Sequence, residues 1–301
     1  MSWKSTTMTV DRTSTKLHIP HPSGCFTLVG VLEQLEPHQP TNGRNIALMS
    51  MSFRFVDISL RHKDYLFQKR LALRLPFDSF RFDFRGNHES GGQWRQGGFV
   101  DDVEDLVVVV AYLRSIYGYK VDMVVGHSRG SVVGMHWLCT AEEGKRVRAL
   151  INVSGRYRMH MFTTYRRYRS LWEEFETKGY YDWNVVVARK AVVQKIYPHD
   201  LEECSRWNSD IVWDNFPSSI DVLTIHGLAD RTVPVYDAII YARIFGARTP
   251  GTHNLHLIEE ADHNLTGRQD EVVDCILEWW EAKRSGSLTT GIFRTGLRGK
   301  L

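Results

Sequence analysis

"VVGHSRGSVVG", residues 124–134, sets Ser128 between Gly126 and Gly130, directly after an apolar run and directly before residues with helical spacing. A Gly-x-Ser-x-Gly pattern arises by accident in about one chain in ten of this length, given ordinary glycine and serine usage. Its meaning therefore rests on what surrounds it. Upstream, "KVDMVVG" (120–126) is a strand with no polar face, and "FVDDVEDLVVVVAYLRSIYG" (99–118) is a long helix stopped at Gly118. Ser128 thus stands where a buried strand hands over to a helix.

The same rhythm runs outward in both directions. "CFTLVGVLEQL" (25–35) reads as extended and "RNIALMSM" (44–51) as a short buried strand. "KDYLFQKRLALRL" (63–75) has helical spacing until Pro76 stops it, and "DSFRFDF" (78–84) alternates as a strand. Further on, "VRALINVSG" (147–155), "SIDVLTIHG" (219–227) and "HNLHLIEE" (253–260) are strands separated by helical stretches near 128–142, 234–247 and 268–284. Near-continuous apolar strands alternating with helices predict an α/β chain with a mostly parallel central sheet covered on both faces. Residues 156–217 interrupt the pattern. They are rich in Tyr, Trp and Arg, show no strand, and read as a helical insertion over one end of the sheet. The expected organisation is one domain over 1–301, with core segments 23–155 and 218–284, a polar start, and a loose tail over 285–301.

Composition narrows the function classes. With 301 residues, 43% hydrophobic and 24% charged, the chain can bury a sizeable core. A net charge of +3, spread along the chain, calls for no nucleic-acid partner. Cys25, Cys139, Cys204 and Cys275 lie far apart with no metal-ligand spacing, as isolated thiols of a reducing compartment do. The first twenty residues carry no apolar signal-like core and no run approaches membrane-spanning length, so a cytoplasmic location and no integral membrane segment are expected.

A serine hydroxyl attacks poorly until a base takes its proton, and that base needs a carboxylate to fix its tautomer. The later strands supply both partners. "TIHGLADRTVP" puts Asp230 just past one strand end and "LIEEADHNLTG" puts His263 past the next, so in a parallel sheet both share the carboxyl edge with Ser128. The chain order Ser, Asp, His is also the order expected for this arrangement. His226, His253 and His256 compete with His263 but lie within or beside strands, where packed or surface roles are the rule. Asp262, next to His263, competes with Asp230 but is poorly placed to face its neighbour's ring. Asp83 and Arg85 read as braces for the loop after their strand, and Arg156, Arg158, Arg166, Arg167 and Arg169 as a solvated helix face.

Together "DFRGNHESGG", "GHSRG", "HGLADRTVP" and "EADHNLTG" resemble the motifs of α/β-hydrolase serine esterases, especially the cinnamoyl-esterase-like and serine-aminopeptidase-like branch with its intracellular fungal relatives. The resemblance spans roughly residues 23–284. It implies an α/β-hydrolase fold with a helical cap insertion, a Ser128–His263–Asp230 triad, and hydrolysis of a small-molecule ester through an acyl-enzyme. No cofactor and no metal is implied. Two backbone N–H groups must hold the oxyanion. Arg129 supplies one; Phe53 is the best-placed candidate for the other. Here the chain departs from its relatives: Met51 and Ser52 stand where they carry His-Gly, and the loop is about eight residues longer than a short connection needs. A second departure is His88, at a position where they often have a second glycine. Two readings follow. One is a serine carboxylesterase with a small, aromatic or otherwise bulky substrate; the other is a hydrolase-fold protein whose incomplete oxyanion hole binds a small molecule with little turnover.

Overall fold

The computed structural model describes residues 12–51, 63–64, 66–161, 166–187 and 190–295. Phe53 and most of the long loop after "IALMSM" lie outside that set. Nine strands form one sheet: β1 (Arg12–Pro20), β2 (Thr27–Leu35), β3 (Asn45–Met51), β4 (Asp78–Asp83), β5 (Lys120–His127), β6 (Ala149–Val153), β9 (Asp221–Gly227), β10 (His253–Ile258) and β11 (Gly291–Ile292). Their spatial order is β1-β2-β4-β3-β5-β6-β9-β10-β11. Among the described residues of this sheet, only β1–β2 and β2–β4 pair antiparallel; every pair from β4–β3 onward is parallel. The helices are α1 (Gln68–Arg74), α2 (Phe99–Tyr117), α3 (Arg129–Thr140), α4 (Arg166–Lys178), α5 (Pro198–Arg206), α6 (Ile211–Asp214), α7 (Tyr236–Gly246) and α8 (Gln269–Arg284).

Strand alternation explains the two-faced cover. Ile46, Leu48, Val124 and Val222 point to one face, where Leu106 and Val109 of α2, Val133 and Trp137 of α3, and Tyr241 and Phe245 of α7 meet them. Ala47, Met49, Met123, Val125 and Leu223 point to the other, against Leu71 of α1 and Ile276 and Trp279 of α8. Each large side chain so buried contributes about 1.5–3 kcal/mol. β6 accordingly reads as a continuous apolar run, and β4, whose sequence alternates, nonetheless buries its polar residues too: every residue in both strands is buried. At the end of α2, Gly118 adopts φ 72° and its N–H returns to the Arg114 and Leu113 carbonyls, the left-handed stop its sequence predicts.

Four expectations need correction. The polar start contains β1, an edge strand that buries Leu17 and Ile19 while its other side chains stay largely in water. The expected helix over 63–75 begins only at Gln68, because Leu66 at φ 53° leaves the helical region. The insertion is not strandless: β7 (Tyr181–Val187) and β8 (Lys190–Ile196) form an antiparallel hairpin. The tail is not loose as far as 295. β11 pairs with β10, the Phe293 N–H donates to the Leu255 carbonyl at 2.8 Å, and Asn254 holds the Thr289 carbonyl at 2.7 Å.

The segment between β6 and β9 rests on the loop that precedes α2 and on α3. Trp183 meets Trp94 at 5.6 Å between ring centroids, Trp207 packs on Phe99 and His136, and the Cys204 thiol donates to the Gln96 carbonyl. Two members of the expected solvated basic face are tied down there. Arg156 is buried and reaches the Thr232 carbonyl, while Arg158 pairs with Asp237 of α7 at 2.5 Å. The side chains of Arg166, Arg167 and Arg169 lie outside the described set. All four cysteines are free thiols, three of them buried.

Candidate active site

β5 delivers Ser128 to the carboxyl edge of the sheet, and α3 starts at the next residue. Ser128 sits at φ 55°, ψ −117°, a conformation that costs a side-chain-bearing residue about 1–3 kcal/mol and lifts its hydroxyl off the strand. The flanking glycines are sterically required. A Cβ on Gly126 would come within 2.5 Å of the Ser131 backbone, and one on Gly130 would sit on the Ser50 carbonyl oxygen. Arg129 N–H and Gly130 N–H head the helix, where no carbonyl four residues back can accept from them, so the positive end of α3 lies beside Ser128.

The loops after β9 and β10 bring the other two candidates to the same place. His263 Nε2 lies 2.9 Å from Ser128 Oγ and His263 Nδ1 lies 2.8 Å from Asp230 Oδ2. A carboxylate only accepts, so Nδ1 carries the hydrogen and Nε2 is left to accept from the serine. The three side chains are buried, and the two loops are tied together by Ala229 N–H donating to the Ala261 carbonyl at 3.0 Å. Asp230 Oδ1 takes the N–H groups of Thr232 and Val233, each at 2.8 Å. Burial alone would raise the Asp230 carboxyl, but hydrogen bonds from His226 and His263 outweigh it and hold the group well below the usual carboxylate range.

The competing residues are placed elsewhere. His253 is packed against Thr224, and burial, helped by Arg248, brings its pKa down to about 3. His256 donates from Nδ1 to the Phe293 carbonyl, and Asp262 accepts from Asn264 N–H, Thr266 N–H and the Thr266 hydroxyl within its own loop. Asp83 and Arg85 brace as expected: Asp83 accepts the Lys63 N–H at 2.6 Å, and Arg85 pairs with Glu104 and Asp105 of α2. Among the described residues, Asp83, His88 and Glu89 bring ligand-type atoms within 4.8 Å of one another. The Lys63 ammonium, 2.5 Å from Glu89 and 3.4 Å from Asp83, already places a cation among them.

Sequence reasoning overlooked several supports. His127 Nε2 donates to the His263 carbonyl at 2.8 Å, linking the serine turn to the histidine loop. Gln68, at the start of α1, donates to the Ser50 carbonyl at 3.1 Å, and the Ser50 hydroxyl reaches the Gly130 carbonyl at 3.3 Å. Arg129, expected to act only through its amide, buries its guanidinium over Phe99, 4.1 Å from the ring centroid, with Asp102 of α2 at 2.5 Å. His226, weighed only as a rival base, lies 3.3 Å from Asp230. His127, directly before the serine in the "GHSRG" motif, was the one local signal for this second layer.

Residues 52–275 match the family model described as the alpha/beta hydrolase family. The chain belongs to that family. Among curated proteins, the uncharacterized Saccharomyces cerevisiae protein YDL057W is 29% identical over 239 residues, 69% of this chain and 67% of the yeast one. Two solved structures resemble this one in fold. Est1E from Butyrivibrio proteoclasticus, with ferulic acid bound, gives a TM-score of 0.68 at 16% identity over 89% of this chain and 99% of its own. The Pyrococcus furiosus esterase Pf2001 gives 0.60 at 15% identity over 90% and 91%. No described helix of this alpha/beta hydrolase is long and apolar enough to cross a membrane.

Proposed function

We propose that this alpha/beta hydrolase is a serine carboxylesterase in which Ser128 is the nucleophile, His263 the general base and acid, and Asp230 the carboxylate that orients His263. The observation that carries it is the unbroken chain Ser128 Oγ, His263, Asp230, with 2.9 and 2.8 Å links, at the head of a helix. As Oγ attacks the ester carbonyl carbon, its proton passes to Nε2 and the carbonyl oxygen becomes an oxyanion facing the Arg129 N–H. The imidazolium then protonates the leaving alkoxide, the C–O bond breaks, and the acyl group remains on Ser128. Water, deprotonated by His263, attacks the acyl carbon, and the proton returned to Oγ frees the carboxylic acid.

A small ester with an aromatic acyl or leaving group fits the aromatic insertion best. Trp94 and Trp183 meet at a tilt where that segment joins the core, and one fold relative carries ferulic acid. A fluorophosphonate probe tests the assignment. It is expected to label the native protein at Ser128 and to leave Ser128→Ala unlabelled, with p-nitrophenyl ester turnover falling by at least ~10³-fold in the variant. Equal labelling of the alanine variant would refute the role of Ser128. Labelling without turnover would favour the second reading, a binding protein, which rests on Met51 and Ser52 replacing the His-Gly of relatives.

A further inference from the structure

We propose that His226 is a positioning residue for this reaction: its Nε2–H, shared between the Val233 carbonyl and Asp230 Oδ2, fixes the carboxylate in the orientation that His263 needs. The inference rests on the esterase reading above and deepens it. His226 Nε2 is 2.9 Å from Val233 O and 3.3 Å from Asp230 Oδ2. Neither oxygen can donate, so this nitrogen must carry a hydrogen. The other ring nitrogen, Nδ1, is buried with no hydrogen-bond partner among the described residues, so the hydrogen bonding they offer the ring runs through its Nε2 edge.

The arrangement matters because of how Asp230 is filled. Oδ1 is held by two backbone N–H groups and Oδ2 by His263 Nδ1–H at 2.8 Å, with the Nε2–H edge of His226 3.3 Å from the same oxygen. His226 is fully buried on β9, inside the sheet, so it is a rigid donor, whereas His263 sits on a loop and changes charge in every cycle. Removing the rigid donor leaves Oδ2 answering to His263 alone. The carboxylate can then rotate about its Cβ–Cγ bond, and more of its charge faces the His263 ring. Among the described residues, the titratable group in contact with His226 is Asp230, which His263 approaches from the loop after β10; Arg156 reaches the nearby Thr232 carbonyl from the end of β6. With the donor gone, the imidazolium form of His263 is favoured, and the acid limb of the pH–rate profile moves to higher pH.

His226→Phe keeps the ring and removes the donor; His226→Gln restores an N–H at about the reach of Nε2. With p-nitrophenyl ester as substrate, H226F is expected to lower kcat roughly 10–100-fold, the range for a small misplacement of a reacting group. KM should stay within about twofold. Its acid limb should move up, and the downfield proton resonance of His263 Nδ1–H should shift. H226Q should recover most of the rate, the limb and the resonance. A well-folded H226F with parental kcat, limb and resonance would overturn the proposal, as would an H226Q no better than H226F. Should H226F not fold, H226Q against H226N makes the same comparison, since the Asn amide reaches only as far as Nδ1. Ser128→Ala separates the two levels. If it abolishes turnover while H226F changes nothing, only the role of His226 fails; if it turns over ester normally, the esterase reading fails and this proposal with it.

Discussion

At Ser128 the backbone holds φ 55° because the residues on either side leave no alternative: Gly126 lies against Ser131 and Gly130 against Ser50. A methyl at Gly130 would have to displace the β3 carbonyl that Gln68 also holds, and that carbonyl belongs to a buried strand. Gly130→Ala is therefore expected to cost about 1–3 kcal/mol, an overpacking penalty without relief from a movable side chain. It should also slow fluorophosphonate labelling more than tenfold by tilting the serine turn. Thermal melting and labelling rate measured together check this, and a variant with native melting and native labelling would show that the turn tolerates the methyl. Ser128, Asp230 and His263 were legible in the sequence because each follows a strand end, and strand ends are set by local patterning. His226, His127 and Gln68 were not. Their roles depend on which carbonyl or carboxylate stands opposite, and only the packed loops decide that.

The elements that frame the serine are joined by a buried ion pair. Arg129, one residue after the serine, reaches from the first turn of α3 to Asp102 in the first turn of α2, and also donates to the Gln96 carbonyl at 2.5 Å. Both side chains are buried, so removing Asp102 leaves the Arg129 guanidinium inside without its carboxylate. Asp102→Ala should lower stability by about 3–5 kcal/mol, whereas replacing both partners by apolar residues of similar volume should cost much less. Urea unfolding of the single and double variants tests the point; an Asp102→Ala midpoint equal to the parent's would show that the pair does not couple the helices. The parallel strands and long helices were predictable at this scale because each carries its own period over many residues. β7 and β8 escaped because their valine runs sit in a segment dominated by aromatic and charged residues. β11 has two residues and exists only because β10 offers an open edge and Phe293 a place to pack. Such elements are made by the tertiary structure, and no window of sequence contains them.

Across the whole molecule, buried histidines set how the fold meets acid. Burial lowers the pKa of His21, His136 and His253, the last to about 3. A base whose folded pKa lies below its unfolded value is neutral in the native state, so the unfolded chain binds the extra proton. The stability it contributes is complete above the unfolded value of 6.5 and is lost as pH falls from there toward about 3. The carboxylates act lower. Asp230 and Glu89, held below their ordinary values, contribute stability that is present above about pH 4 and lost beneath it. Between roughly pH 6.5 and 4, each of these histidines that titrates fully contributes a slope near 1.4 kcal/mol per pH unit to the loss of stability. His253 lies 3.0 Å from Thr224 on β9, away from Ser128's hydrogen-bonded chain, so replacing it reports on the fold and not on the chemistry. His253→Gln can keep a hydrogen bond to Thr224 but cannot take up a proton. Relative to the parent, its unfolding free energy should improve by about 2–3 kcal/mol between about pH 7.5 and pH 4.5. Urea unfolding at both pH values measures the difference, and parallel curves for the two proteins would show that His253 is not what acid attacks.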